Sequence, residues 1–122
     1  MSAFEHTIES VVRGFHVYKD VWVPVLHEVL QTKQEFDNEE DRYAVAVFKT
    51  TTGSSDQVTI GHVPRSISRV CWYFIQHDGE ITCKITGGRR WSDLPQGGLE
   101  VPCEYNFIGK KKHIKKIRKL LK

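Results

Sequence analysis

DRYAVAVFKTTTGSSDQVTIGHVPRSISRVCWYFI, residues 41–75, carries strand, turn, strand and helix signals in unbroken succession. Tyr43 to Phe48 is built of small, β-branched and aromatic residues, with Val45 and Val47 on one face and Ala44, Ala46 and Phe48 on the other. The polar stretch Thr50 to Asp56 has the Gly and Ser content of a hairpin connection, so Gln57 to Val63 is expected to return as the partner strand. Pro64 suits the first helical position, where its fixed φ is already helical and its missing N–H would have had no partner. Beyond it Ile67, Val70, Cys71, Phe74 and Ile75 recur at helical spacing and define one apolar face. That helix should stop near His77, before the turn residues Asp78 and Gly79.

Upstream of this unit, β-branched and aromatic residues between Ile8 and Tyr18 predict a first strand, with Gly14 as a bulge or a point of close approach. Lys19 and Asp20 turn the chain, and Pro24 limits a second strand to Val25 to Leu30. The acidic segment Gln34 to Asp41 reads as a loop. Downstream, Glu80 to Thr86 is a strand with Ile81, Cys83 and Ile85 on one face, GGRRWSDLPQGG (87–98) is a loop, and Leu99 to Phe107 is the last strand. Ile114, Ile117, Leu120 and Leu121 then fall at helical spacing under a basic face. The expected fold class is mainly β with two helices: a small six-stranded, OB-like curved sheet or barrel, one helix after the fourth strand and a C-terminal helix.

A chain of 122 residues is the size of one domain, so residues 1–122 are read as a single unit with a core of about 8–108 and a basic helix over 110–121. An apolar fraction of 39% against 27% charged residues permits a folded core and argues against extended disorder. No apolar run approaches bilayer length, and MSAFEHTIES lacks the basic and then apolar layout of a signal peptide, which predicts an intracellular protein. Cys71, Cys83 and Cys103 have neither a disulfide-framework pattern nor CxxC spacing, so buried reduced thiols are expected.

The net charge of +3 conceals a strong asymmetry. Lys110 to Lys122 holds eight Lys or Arg and no carboxylate, which leaves 10 basic and 15 acidic residues in the first 109. Five of those acidic side chains, Glu35, Asp37, Glu39, Glu40 and Asp41, crowd one segment.

Six scattered histidines form no HExxH or other metal-ligand pair, and no Walker loop, GxSxG or Rossmann glycine pattern is present. Each cysteine lies on a predicted apolar face, where a thiol is ordinarily inert. No catalytic residue, cofactor or metal is therefore expected. The carboxylates of 35–41 lack the spaced ligands and glycine of an EF-hand and read as a solvated turn, with a hard cation as the competing reading. Asp41 stands immediately before a strand, where a carboxylate either caps turn donors or projects into a groove. The basic tail is open to two compatible readings. It is a helix docked through Ile114, Ile117 and Leu121, or a surface for phosphates and nuclear import in which Lys110, Lys111, Lys112 and Lys115 are peripheral contacts.

DNEEDRYAVAVFK (37–49) followed by VTIGHVPRSISRV (58–70) resembles the core signature of the HIRAN domain: Asn, two residues, Asp, two residues, Ala and a β-branched strand, then Gly, His and a basic helix start. Weaker similarity extends to VVRGFHVY at the front and VPCEYNFIGK at the back, and VWVPVLHEVL and DLPQGGLEVPC are similar to stand-alone HIRAN-like proteins of animal genomes. The resemblance implies an OB-type barrel and a non-catalytic module that binds nucleic acid, specifically the 3′ end of single-stranded DNA, in the nucleus. Carried over, Asp41 would meet the terminal hydroxyl, with Asn38, His62 and Arg65 near phosphate and His16 at the first-strand position. The stacking half differs: His16 and Val17 stand where DNA-binding members have Arg and Tyr, Glu40 replaces a Tyr, and Leu99 replaces a late aromatic. Stacking contributes about 1–3 kcal/mol per base, so rings from Tyr18, Tyr43 or Trp91 would have to substitute. The competing expectation is a protein-interaction module that retains the fold without the DNA-end pocket.

Overall fold

The computed structural model describes residues 3–14, 24–50, 53, 56–88, 90–91 and 99–121. Its elements are β1 (Phe4–Val12), β2 (Val29–Gln34), β3 (Val45–Thr50), β4 (Gln57–His62), α1 (Arg65–Gln76), β5 (Glu80–Ile85), β6 (Arg90–Trp91), β7 (Leu99–Gly109) and α2 (Lys111–Leu120). The strands form an antiparallel path in the order β1-β7-β5-β2-β3-β4, with β6 paired to β7 beside it. The ends of the path meet. Arg13 N–H donates to His62 O at 2.8 Å and His62 N–H donates to Arg13 O at 2.9 Å, so the curved sheet is drawn into a barrel-like ring. Gly61 permits this approach, because a Cβ there would lie 2.8 Å from Arg13 O and would strike the Val12 side chain. A bulge between Val47 and Phe48 adds local curvature to β3.

The core is continuous through Val12, Leu30, Val45, Val47, Ile60, Ile81, Ile85, Val101 and Tyr105, with Tyr105 fully buried. Its hydroxyl donates to Val11 O at 2.7 Å, which removes the cost of an unpaired buried phenol. Helix α1 contributes Cys71 and Phe74, and the Phe74 ring meets Phe107 edge-on at 5.3 Å. Helix α2 buries Ile114 and Ile117, while Leu121 packs against the same core and Leu120 is exposed. All three cysteines are free and buried; burial pushes the Cys71 thiol up to about 12, and a hydrogen bond with Cys103 together with burial raises that of Cys83. None of the described helices is long and apolar enough to cross a membrane.

The fold class, the β3–β4 hairpin, both helices and the two late strands lie where the sequence put them. Five local expectations need correction. The first strand spans Phe4–Val12 instead of starting at Ile8. Its pattern alternates half-buried and exposed residues, and the polar run EHTIES hides this from an apolar count. The second strand is Val29–Gln34, whereas Val25 and Leu26 are exposed and Leu26 and His27 form a turn in which His27 has φ +70°. Gly14 makes no close approach to the described residues, and its φ of +77° favours glycine. Arg90 and Trp91 form a two-residue strand inside the segment read as loop. Pro64 is the residue before α1, and the left-handed residue after α1 is Asp78 at φ +65°, whereas Gly79 is needed because a Cβ would strike the Phe74 ring. His16, Val17, Tyr18 and the 92–98 part of the long loop lie outside the described residues.

Candidate nucleic-acid interface

The acidic segment connects β2 to β3, and its conformation follows from two side chains. Asn38 Oδ1 accepts from the backbone N–H groups of Glu40 and Asp41, both at 2.9 Å, and its amide donates to Glu35 Oε1 at 2.8 Å. Asp41 Oδ1 accepts from the Tyr43 N–H at 2.9 Å, and Oδ2 accepts from the Ser68 hydroxyl on α1 at 3.0 Å. Asp41 is therefore a cap for turn donors, one of its two expected roles, and it ties the turn to the helix.

His62, at the end of β4, donates from Nε2 to Glu35 Oε1 at 3.0 Å. Burial alone would raise the Glu35 carboxyl; the hydrogen bonds from Asn38 and His62, with the charges of His62 and Lys33, outweigh it and hold the group below its usual range. Arg65, in the first turn of α1, donates to Glu40 O. A guanidinium has five N–H donors, so that bond leaves capacity for an anion. Asn38, Asp41, His62 and Arg65 come from three separate elements and meet in one network with Glu35 and Ser68. His16 lies outside the described residues.

Beyond Arg65 the outer face of α1 continues into an aromatic and cationic ledge. Arg42 and Arg69 each sit 5.3 Å from the Tyr43 ring centre, Tyr43 meets Trp72 edge-on at 6.0 Å, and Trp72 meets Phe36 at 5.0 Å. Phe36 is 78% exposed, the most exposed large apolar side chain described. Gln34 fixes the far end by donating to Trp72 O at 3.2 Å and Gln76 Oε1 at 3.0 Å. The sequence pointed to Tyr43, and to Glu35 only within a solvated acidic turn or cation loop, whereas Phe36, Trp72 and Ser68 carried no such expectation. The signal for Trp72 was present, since Arg65, Arg69, Trp72 and Gln76 share a helical stripe beside the apolar face.

Lys110, Lys111, Lys112 and Lys115 are exposed on or just before α2 and do not join the Asp41 network. A shallow depression of about 260 Å³ between β2 and β3, lined by residues including Glu28, Val29, Phe48 and Lys49, contains none of the expected site residues. Among the described residues, no group of three or more His, Cys, Asp or Glu is placed to hold a metal.

A six-strand antiparallel path, drawn together at Arg13 and His62 and carrying one helix after β4 and a second after β7, defines the class as an OB-like β-barrel domain. Its particular form is the HIRAN-domain fold: the crystal structure of the HIRAN domain of human HLTF superposes with a TM-score of 0.71 at 16% identity, covering 95% of this chain and 87% of that one. A crystal structure of a protein from Lactobacillus plantarum is similar at a TM-score of 0.53 and 13% identity, covering 86% of this chain and 98% of that one. No family sequence model matches the chain, and no curated protein matches it.

Proposed function

We propose that this chain is a non-catalytic module that binds single-stranded nucleic acid, with Arg65 and His62 beside the phosphates and Asn38 and Asp41 holding the turn that positions them. The observation that carries the reading is the convergence of Asn38, Asp41, His62 and Arg65 beside an exposed ring and arginine ledge, on a fold shared with a HIRAN domain. Arginine beside accessible aromatic faces suits stacked bases on a phosphate backbone and needs little sequence preference. Both Asp41 oxygens are already accepting from the chain, and Glu39 and Glu40 are exposed beside it, so discrimination of the terminal 3′ hydroxyl is expected to be weak.

The test is titration of single-stranded DNA, with free and 3′-phosphorylated ends, across a range of salt. Binding that weakens as salt rises, with the two ends close to equal, is the expected result. Absence of binding even at low salt overturns the reading. A strong preference for the free end would instead restore Asp41 as a hydroxyl acceptor.

A further inference from the structure

Helices α1 and α2 together carry eight Lys or Arg side chains and no Asp or Glu. Where they meet, the side chains form one cluster. The His77 ring lies 4.3 Å from Tyr73 and 5.0 Å from His113 between ring centres, and Lys116 Nζ stands 4.7 Å above the Tyr73 ring. The Tyr73 hydroxyl and His113 Nδ1 are 3.4 Å apart, and His77 Nδ1 donates to Tyr73 O at 2.9 Å. These interactions hold two imidazoles and an ammonium around a half-buried tyrosine, with Lys112 and Lys110 near His113. Among the described residues, no carboxylate bonds to any member of this group.

Protonating these imidazoles beside the lysine ammonium groups is unfavourable without an anion and is favoured by a phosphate, which accepts from the charged rings. The half-buried setting of His113, followed by the charges of His77, Lys112, Lys110 and Lys116, holds its imidazole below the usual value, a disfavour of the charged ring that a bound anion would reverse. The cluster lies at the far end of the helix that begins at the candidate interface. Arg65 and Arg69 occupy the start of α1, and His77 follows its end, about 18 Å from Arg65 at the rise of an α-helix.

We infer that the α1–α2 seam, through His77, His113 and Lys116 around Tyr73, is a second phosphate site that receives the backbone of a single strand leaving the Arg65 end of α1. This rests on the nucleic-acid reading above and extends it. The ledge of Tyr43 and Trp72 lies along the same helix, so a strand following α1 meets arginine, rings and then the seam. The basic tail becomes part of a directional track, with α2 held in place by Ile114 and Ile117.

Two measurements on the whole chain test this. First, histidine ring resonances are followed by NMR in a pH titration, with and without inorganic phosphate. Phosphate should shift His77 and His113 and raise the pH at which His113 titrates; no movement of either ring overturns the seam as a phosphate site. Second, oligonucleotides of about 4 and about 16 nucleotides, spanning the site sizes of OB-type folds, are compared for wild type, Lys116→Gln and His113→Gln. The variants should weaken the long strand several-fold, leave the short one unchanged and lower the salt slope by about 0.7 for each phosphate that is no longer neutralised. Wild-type binding that is equal in all three proteins at both lengths overturns the seam while the proposed function stands. Failure of wild type to bind either length overturns the proposed function, whereas the phosphate titration judges the seam separately. Tighter binding to anionic vesicles than to the long oligonucleotide would assign the seam to a lipid surface and overturn the strand path.

Discussion

Each Asp41 oxygen accepts one hydrogen bond, from Tyr43 N–H on one side and the Ser68 hydroxyl on the other, and the residue thereby joins turn to helix. Asp41→Ala leaves both donors without this acceptor and is expected to destabilise the fold by about 1–3 kcal/mol, whereas Ser68→Ala should cost about 1 kcal/mol. Urea denaturation measures both, and a neutral Asp41→Ala would mean the turn is held elsewhere. Glu35 supplies a pH signature. Its carboxyl lies below the ordinary value of 4.5 in the fold, so its stabilising contribution is complete above that pH and is lost as pH falls through the lower, folded value. Glu35→Gln should therefore be less stable than wild type at neutral pH, with the gap closing in acid below 4.5. A gap that persists unchanged in acid would exclude the ionised carboxylate as its origin. Asn38, Asp41, His62 and Arg65 were legible through residue order and family resemblance. Their partners were not, because the bonds of Glu35 to His62 and Ser68 to Asp41 each span 27 positions and exist only after β3, β4 and α1 have assembled.

Among the elements, α1 was readable because its buried face, Ser68, Cys71 and Phe74, keeps a helical period in the sequence, and β3 because its unbroken small and β-branched run, Val45 to Phe48, is buried on both faces, with β4 following across a polar turn. β1 and β2 were displaced for opposite reasons. Polar residues alternate through β1 because one side faces solvent, while the apolar Val25 and Leu26 belong to an exposed turn instead of to β2. Pattern counts apolar residues, and in these two places burial does not follow them. The meeting of β4 with the end of β1 was equally hidden, since one glycine carries it. Gly61→Ala must displace the Val12 side chain or the Arg13 carbonyl, both of which crowd the new methyl. Overpacking of this kind costs about 1–3 kcal/mol, and here it acts on the bonds between Arg13 and His62. A lowered melting temperature, with faster amide exchange at Arg13 and His62 than in β5, is the expected outcome. Unchanged exchange would show that the two strand ends do not depend on this approach.

For the whole molecule, the decisive question is whether the basic tail acts by packing or by charge. Ile114 and Ile117 are buried in the common core, yet Lys112, Lys115 and Lys119 are exposed on the same helix. Removing the tail would conflate the two, because it would uncover part of the core as it removed the charge. Separate substitutions resolve them. Ile117→Ala opens a cavity at a fully buried position and should cost about 2–5 kcal/mol, read as a lowered denaturation midpoint. Lys112→Gln, Lys115→Gln and Lys119→Gln together should leave stability within about 0.5 kcal/mol, the range of ordinary surface changes. The same triple substitution should weaken single-stranded DNA binding several-fold at low salt and flatten the salt dependence, since fewer counter-ions are released on binding. If it leaves DNA binding and its salt slope unchanged, these three lysines take no part in binding, and the charge contributed by α2 is confined to the seam at His113 and Lys116, with Arg65, Arg69 and the rings beside them carrying the rest.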